Sequence, residues 1–324
     1  MKNNVCIIGC GAIAPVHIEA VKKCENARLY GICDIDKTKK AAADKLGVRF
    51  FDSFDAVISD KDVDAVHICT PHYLHFEMIK KALSHGKRVV CEKPCVITKA
   101  ELEELKSTDG ADKVCFVMQN RLNRSVKELK SLIESKRLGN ITGVSGILTW
   151  HRTKEYYNGS CWRGKWVTEG GGVLINQAVH TLDLMSYLAG SIERVKAKMA
   201  DFSLAGAIEV EDSFMSYLKF AGGISGVFFA TNANAENDDM EITVYFEKGT
   251  AKCVFGKLFV NGAEVCENEK AKIGKDYWGS RHETLISDFY DRNIFFDIHS
   301  VENTMDALFA MYESARGEGK EITV

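Results

Sequence analysis

Two patterns of apolar and polar positions divide the 324-residue chain. From Met1 to about Arg121, near-continuous apolar runs at Val5–Ile8, Arg28–Cys33, Ala65–Cys69, Arg88–Cys91 and Lys113–Val117 alternate with amphipathic stretches. Such runs read as strands buried on both faces, and their alternation with helices predicts βαβ units on a parallel sheet. Tyr73–His85, stopped by Gly86, and Lys99–Lys106, opened by the capping box Thr98-x-x-Glu101, read as helices. Pro15 stands where a first helical turn should begin, a position that tolerates its missing N–H. Pro71 and Pro94 each follow a strand, at the sheet edge where open α/β folds bind ligands.

Beyond Arg121 the pattern changes. A helix over Arg124–Lys136 leads into a long strand, Ile141–Trp150, then a loop rich in Tyr, Trp and Gly, then a glycine-headed helix over Val173–Ala189. Strand-like alternation follows at Arg194–Phe202, Glu211–Phe220, Ile224–Thr231, Glu241–Glu247 and Thr250–Val260, predicting a largely antiparallel sheet. Helices over Arg281–Arg292 and Val301–Arg316 close the chain, the latter with Met305, Leu308, Met311 and Tyr312 as a core stripe. The expectation is an α/β protein of two domains: 1–121 with a doubly wound parallel sheet, and 122–324 with a large, mainly antiparallel open sheet.

An apolar fraction of 46% and a charged fraction of 27% match ordinary globular usage. Phe220–Ala235, the longest uncharged run, is sixteen residues broken by glycines and asparagines, too short for a membrane span. A net charge of −3 with dispersed basic residues argues against nucleic-acid binding. Lys2 and the apolar stretch Val5–Ala14 imitate a leader peptide, but a strand and a turn account better for them. The eleven cysteines show neither a C-x-x-C pair nor zinc-ribbon spacing, so free thiols in a reducing cytoplasm are expected, and no metal. Five of them, Cys6, Cys33, Cys69, Cys91 and Cys115, fall in apolar segments as small hydrophobes.

Chemistry enters at Gly9-Cys10-Gly11-Ala12-Ile13-Ala14, a G-x-G-x-x-A directly after a strand and opening a helix. Gly9 permits the tight turn, Gly11 the close approach of a pyrophosphate, and Ala14 the packing of helix on strand. The helix start adds free N–H groups and a positive dipole end. Asp34 ends the second strand where the fingerprint requires a carboxylate for the ribose hydroxyls. A carboxylate there repels a 2′-phosphate and favours NAD, while Lys37, Lys39 and Lys40 nearby are the counterweight that would admit NADP.

Glu92-Lys93-Pro94 after the fifth run, with Thr70-Pro71 and His75 upstream and Arg121 downstream, resembles the glucose-fructose oxidoreductase / inositol dehydrogenase / MocA family. The likeness continues through Trp162-Arg163, the Gly170–Asp183 segment with His180, His282 and Tyr312-Glu313-Ser314-Ala315, covering essentially the whole chain. It implies an N-terminal Rossmann domain, a C-terminal domain that carries substrate and often the subunit interface, and reversible nicotinamide-dependent oxidation of a secondary alcohol on a sugar, inositol or polyol. It assigns Gly9, Gly11, Ala12, Ile13, Asp34, Thr70, Pro71, His75, Glu92, Lys93 and Arg121 to the cofactor, and Lys93 also to the substrate.

His180 is the residue that the resemblance makes the proton acceptor. Many members carry an aspartate four residues earlier, where this chain has Asn176; four residues is one helical turn, so Asn176 and His180 share a face, and the asparagine can orient substrate but cannot be a carboxylate partner. That departure leaves Lys93 and His180 as competing bases. Asp183 either orients His180 or caps a local polar network. Tyr156, Tyr157 and Arg163 are expected at substrate, with packing as the alternative; His67 reads as structural, and His72 as the edge of the cofactor groove. The open sheet, with Phe228, Tyr245 and Phe259 on its free face, suggests a homodimer or homotetramer. Two other functions fit the same residues: a glycosidase or lyase using transient oxidation by NAD, and a non-catalytic NAD-binding regulator.

Overall fold

The computed structural model describes residues 2–254, 256–269 and 281–324. Two compact units result: 1–96 with 100–119 and the 271–301 segment, and 97–99 with 120–270 and 302–324.

In the first unit, β1 (Asn3–Ile8), β2 (Ala27–Cys33), β3 (Arg49–Phe51), β4 (Ala65–Ile68), β5 (Arg88–Cys91) and β6 (Val114–Phe116) form a parallel sheet. Their order is β3-β2-β1-β4-β5-β6. The apolar runs are its interior: Val5, Cys6, Ile7, Ala65, Val66, Val89, Val90 and Cys115 have no exposed surface. β3 is too short and too mixed in polarity to be read from sequence. Because the order reverses at β1, the turns after β1 and β4 flank the crevice where doubly wound sheets bind ligands. The register Ile8–Ile68–Cys91 brings the turns after β1, β4 and β5 to one edge. Pro15 lies in the first turn of the Ala14–Lys23 helix. The Tyr73–His85 expectation resolves into a 3-10 turn at His72–Leu74 and a helix at His75–Ser84.

The second unit is built on β7 (Ile141–Thr149), β8 (Ile192–Ala200), β9 (Ser213–Phe220), β10 (Ser225–Thr231), β11 (Glu241–Phe246), β12 (Gly249–Val254), β13 (Lys257–Val260), β14 (Ala263–Glu267) and β15 (Ile322–Thr323). Their order is β14-β13-β12-β11-β7-β10-β9-β8-β15, antiparallel except at β7–β10. Thr250–Val260 is two strands, β12 and β13, because Gly256 turns the chain at φ +75°; Phe255 of that stretch lies outside the described residues. Helices Val179–Ala189 and Arg124–Glu134 pack on the sheet.

Alternation sorts the two faces. Phe214, Leu218 and Phe228 point to the covered side at 2% exposure or less, which corrects the expectation that Phe228 lies on the free face. Met215, Tyr217, Val227 and Tyr245 occupy that face, at 39% to 56% exposure. Met305, Leu308, Met311 and Tyr312 are core residues, as their helical spacing indicates.

The glycine-headed helix is interrupted. Val173–Asn176 and Val179–Ala189 are separate helices, because the amides of Gln177 and Ala178 both donate to the Val173 carbonyl and so widen the turn. Asn176 and His180 therefore do not share one continuous helical face, which corrects the four-residue argument.

Candidate active site

Gly9 has φ +89°, and a Cβ there would lie 2.8 Å from the Cys69 carbonyl oxygen, so no larger residue fits between β1 and β4. At Gly11 an added Cβ meets nothing within 4 Å, and Gly11 and Ala12 are exposed. That open floor, at the N-terminal end of the Ala14–Lys23 helix where the helix dipole is positive, fits a dinucleotide pyrophosphate. Ile13 precedes the helix as its half-buried cap residue. Asp34 is set beside this turn: one carboxylate oxygen accepts the Cys10 amide at 2.7 Å, the other the Asp36 amide at 2.9 Å. Thr70 and Pro71, both half-buried, form the turn after β4.

His75 is fully buried, with Nδ1 2.7 Å from the Pro94 carbonyl and Nε2 3.0 Å from that of Thr70. The ring lies between the turn after β4 and the turn after β5, and as a neutral imidazole donates to one of the two carbonyls. Beside it, His72 is 5% exposed, its ring 5.9 Å from that of His75.

Glu92 and Lys93 extend from β5. Lys93 is half-buried, whereas Glu92 is 8% exposed and accepts from the Lys93 amide at 3.3 Å. Burial alone would raise the Glu92 carboxyl; hydrogen bonds from His17 and His282 outweigh it and hold the group well below the usual carboxylate range.

In the second unit Asp183 pairs with Arg121. Arg121 grips it through Nε at 2.9 Å and Nη2 at 2.6 Å, and Thr304 donates at 3.1 Å. The pair is buried, so Asp183 anchors the Val179–Ala189 helix to Arg121. His180, one helical turn before Leu184, is half-buried.

Asn176 donates its side-chain amide to Glu169, which has no exposed surface and also accepts the Gly164 amide. Glu211 receives the amides of Gly172 at 2.9 Å and Leu174 at 3.1 Å and the Tyr312 hydroxyl at 2.9 Å. Burial raises its carboxyl to about 7. A Cβ on Gly172 would collide with the Glu211 carbonyl oxygen, which is why glycine heads this segment.

Of the expected substrate residues, Tyr157 is 3% exposed and accepts from Asn232 at 3.0 Å, the packing alternative. Tyr156 and Arg163 are half-buried, and the Arg163 guanidinium lies 4.9 Å from the Tyr156 ring. Glu169, Glu211, His17 and Tyr290 escaped the sequence reading. Apart from the position of Glu169 directly before Gly170, no local signal marks them.

An open glycine floor, a carboxylate at the end of β2 and an amine beyond β5 define an NAD-binding oxidoreductase, and the comparisons agree. Residues 3–119 match the oxidoreductase family model with an NAD-binding Rossmann fold, and residues 126–252 match the GFO/IDH/MocA C-terminal domain. The chain belongs to the GFO/IDH/MocA family. It is 27% identical to myo-inositol 2-dehydrogenase of Thermotoga maritima over 282 residues, 84% of this chain and 80% of that one. It is 30% identical to the WlbA dehydrogenase of Chromobacterium violaceum, solved with NADH and UDP-GlcNAcA, at TM-score 0.85 over 100% of this chain and 96% of that one. Levoglucosan dehydrogenase, solved with NADH and levoglucosan, shares the fold at TM-score 0.87 and 21% identity over the full length of both chains.

Proposed function

We propose that the chain is an NAD-dependent dehydrogenase acting on a secondary alcohol of a sugar, inositol or related polyol. The observation that carries this reading is the half-buried Lys93 directly beyond β5, on the edge that also holds Gly11 and Asp34. Bound NAD supplies the hydride acceptor. Gly9, Gly11, Ala12 and Ile13 form the turn that receives its pyrophosphate, and Asp34 takes the ribose hydroxyls. Thr70 and Pro71 border it, His75 and Glu92 fix those borders, and Arg121 contributes from its ion pair with Asp183. Lys93 holds the reacting hydroxyl by donating to its oxygen. His180 takes the proton, imidazole being the side chain commonly used for general-base work at neutral pH. Asn176, Tyr156 and Arg163 orient the ring, the last two through aromatic and guanidinium faces; Tyr157 supports them from within.

We also infer a homodimer or homotetramer formed through the free sheet face, no nucleic-acid or membrane partner, and a cytoplasmic setting suited to eleven free thiols. The WlbA likeness makes sugar nucleotides part of the substrate panel.

The test identifies any co-purified small molecule and then screens sugars, inositols and a UDP-sugar acid for NADH production. The expected result is NADH formation that His180→Ala lowers by roughly 10²- to 10⁴-fold with NAD affinity retained. Retained NAD without NADH accumulation would indicate transient oxidation in a glycosidase or lyase. NAD binding with no redox signal across the panel would indicate a regulator.

A further inference from the structure

Among the buried titratable side chains of the first unit that the chemistry above leaves unused are His17, His67, His282 and Tyr290, each 6% exposed or less. Three of them form a line that ends on Glu92. The Tyr290 hydroxyl lies 2.9 Å from His67 Nε2, His67 Nδ1 lies 2.9 Å from His17 Nδ1, and His17 Nε2 lies 2.9 Å from Glu92 Oε1. His282 Nε2 is 3.5 Å from the same carboxylate oxygen.

Proton counting fixes the direction of this line. A phenol, two neutral imidazoles and a carboxylate carry three protons for three contacts. If Tyr290 donates to His67 Nε2, the His67 proton must sit on Nδ1. It then points at His17 Nδ1, which places the His17 proton on Nε2, facing Glu92. Burial opposes a charge on either ring, and the His17 charge further opposes one on His67. Passing the three protons along the line would leave a buried phenolate, which burial of Tyr290 disfavours strongly. The line is thus a lock and not a proton wire.

We propose that Tyr290, His67 and His17 are positioning residues: by fixing two ring tautomers they keep Glu92 a pure acceptor, which holds the Lys93 backbone amide and so sets Lys93 in place. The importance of Lys93 rests on the function proposed above; the tautomers do not.

Other groups facing the line leave its logic intact. Glu92 is also faced by His75 from the His75–Ser84 helix and by the thiols of Cys69, Cys91 and Cys115, which burial keeps neutral. The phenol end is faced by Arg88, Asp64 and Cys24. A divalent ion is the competing occupant, because His17 Nε2, Glu92 and His282 Nε2 lie within 4.8 Å of one another. Such an ion would displace the His17 Nε2 proton and reverse the line, leaving Nδ1–H on His17 and Nε2–H on His67.

Long-range ¹⁵N–¹H spectra of the full chain labelled in its histidines distinguish the two arrangements, with His17→Gln and His67→Gln assigning the rings. At neutral pH the expected pattern is Nε2–H for His17 and the rarer Nδ1–H for His67. In the wild type, reversal strands the Tyr290 hydroxyl proton, whereas in Tyr290→Phe the forward line already leaves His67 Nε2 without a donor, so protonation of Glu92 with reversal of the line should occur on the order of one pH unit higher. The acid limb of kcat/KM should rise with it. Reversed tautomers in the wild type, with or without a stoichiometric divalent metal on elemental analysis, would overturn the proposal. So would a Tyr290→Phe variant with lowered Tm but unmoved tautomers and pH profile. If Tyr290→Phe does not fold, the wild-type spectrum alone decides. If no alcohol is oxidised at all, the dehydrogenase reading fails while the tautomer result still stands or falls independently.

Discussion

Asn176 donates its side-chain amide to the carboxylate of Glu169, a residue with no solvent exposure. The resemblance leads one to expect an aspartate at position 176; here a carboxylate reaches the same place from seven residues upstream, by way of an amide. Substituting Asn176 by aspartate would therefore set two carboxylates against each other. It would not give His180 a new partner along a helix, because the helix is interrupted at Ala178.

Asn176→Asp is accordingly expected to destabilise the chain at neutral pH by about 1–3 kcal/mol, the cost of a buried polar mismatch. One proton must be shared by the pair, which raises its native pKa above the unfolded value of about 4.3. The variant should thus come closest to wild type at acid pH and fall away as pH rises through the carboxylate range. Urea unfolding at several pH values measures this; equal stability at pH 8 would contradict the Glu169 contact.

Glu211 gives the wild type a pH dependence of its own. Its carboxyl is raised from 4.5 to about 7 by burial. Its favourable contribution is present below pH 4.5 and lost as pH rises toward 7, on the order of 3 kcal/mol in all. Glu211→Gln cannot titrate, so the difference in unfolding free energy between the two proteins should change by that order across this window. A constant difference would show that Glu211 is already ionised at pH 4.5.

Much of this was legible in advance. The strand-turn-helix at Gly9–Ala14 and the five buried runs are local signals, and the structure places them as their pattern indicates. What stayed hidden depends on partners distant in the chain. His17 meets His67, Glu92 and, through His67, Tyr290, none closer to it than fifty residues along the chain. The break at Gln177–Ala178 carries no proline or glycine, and comes from a widened turn around one carbonyl. Phe228 lies on the covered face and not the free one, because alternation gives two faces without saying which one the helices cover.

Asp34 should decide cofactor choice. The wild type is expected to bind NAD more tightly than NADP in a tryptophan-fluorescence titration. Asp34→Ala should weaken NAD by roughly tenfold, about one hydrogen bond to a charged group, and narrow the gap. Tighter binding of NADP by the wild type would mean that Lys37, Lys39 and Lys40 outweigh the carboxylate.

The free sheet face should hold the oligomer together. Val227, 56% exposed, lies beside Tyr217 in the β9–β10 register. Light scattering is expected to give a multiple of 36.0 kDa for the wild type and a shift toward one chain for Val227→Asp. A wild-type mass of one chain at micromolar concentration would contradict this.

Hydride transfer itself is the central claim. A substrate found in the alcohol screen, deuterated at its reacting carbon, should yield NADH carrying one deuterium by mass spectrometry, at a rate that His180→Ala depresses at least a hundredfold. Unlabelled NADH, or product formed with no deuterium ever reaching the cofactor, would contradict the assignment of this chain as a dehydrogenase.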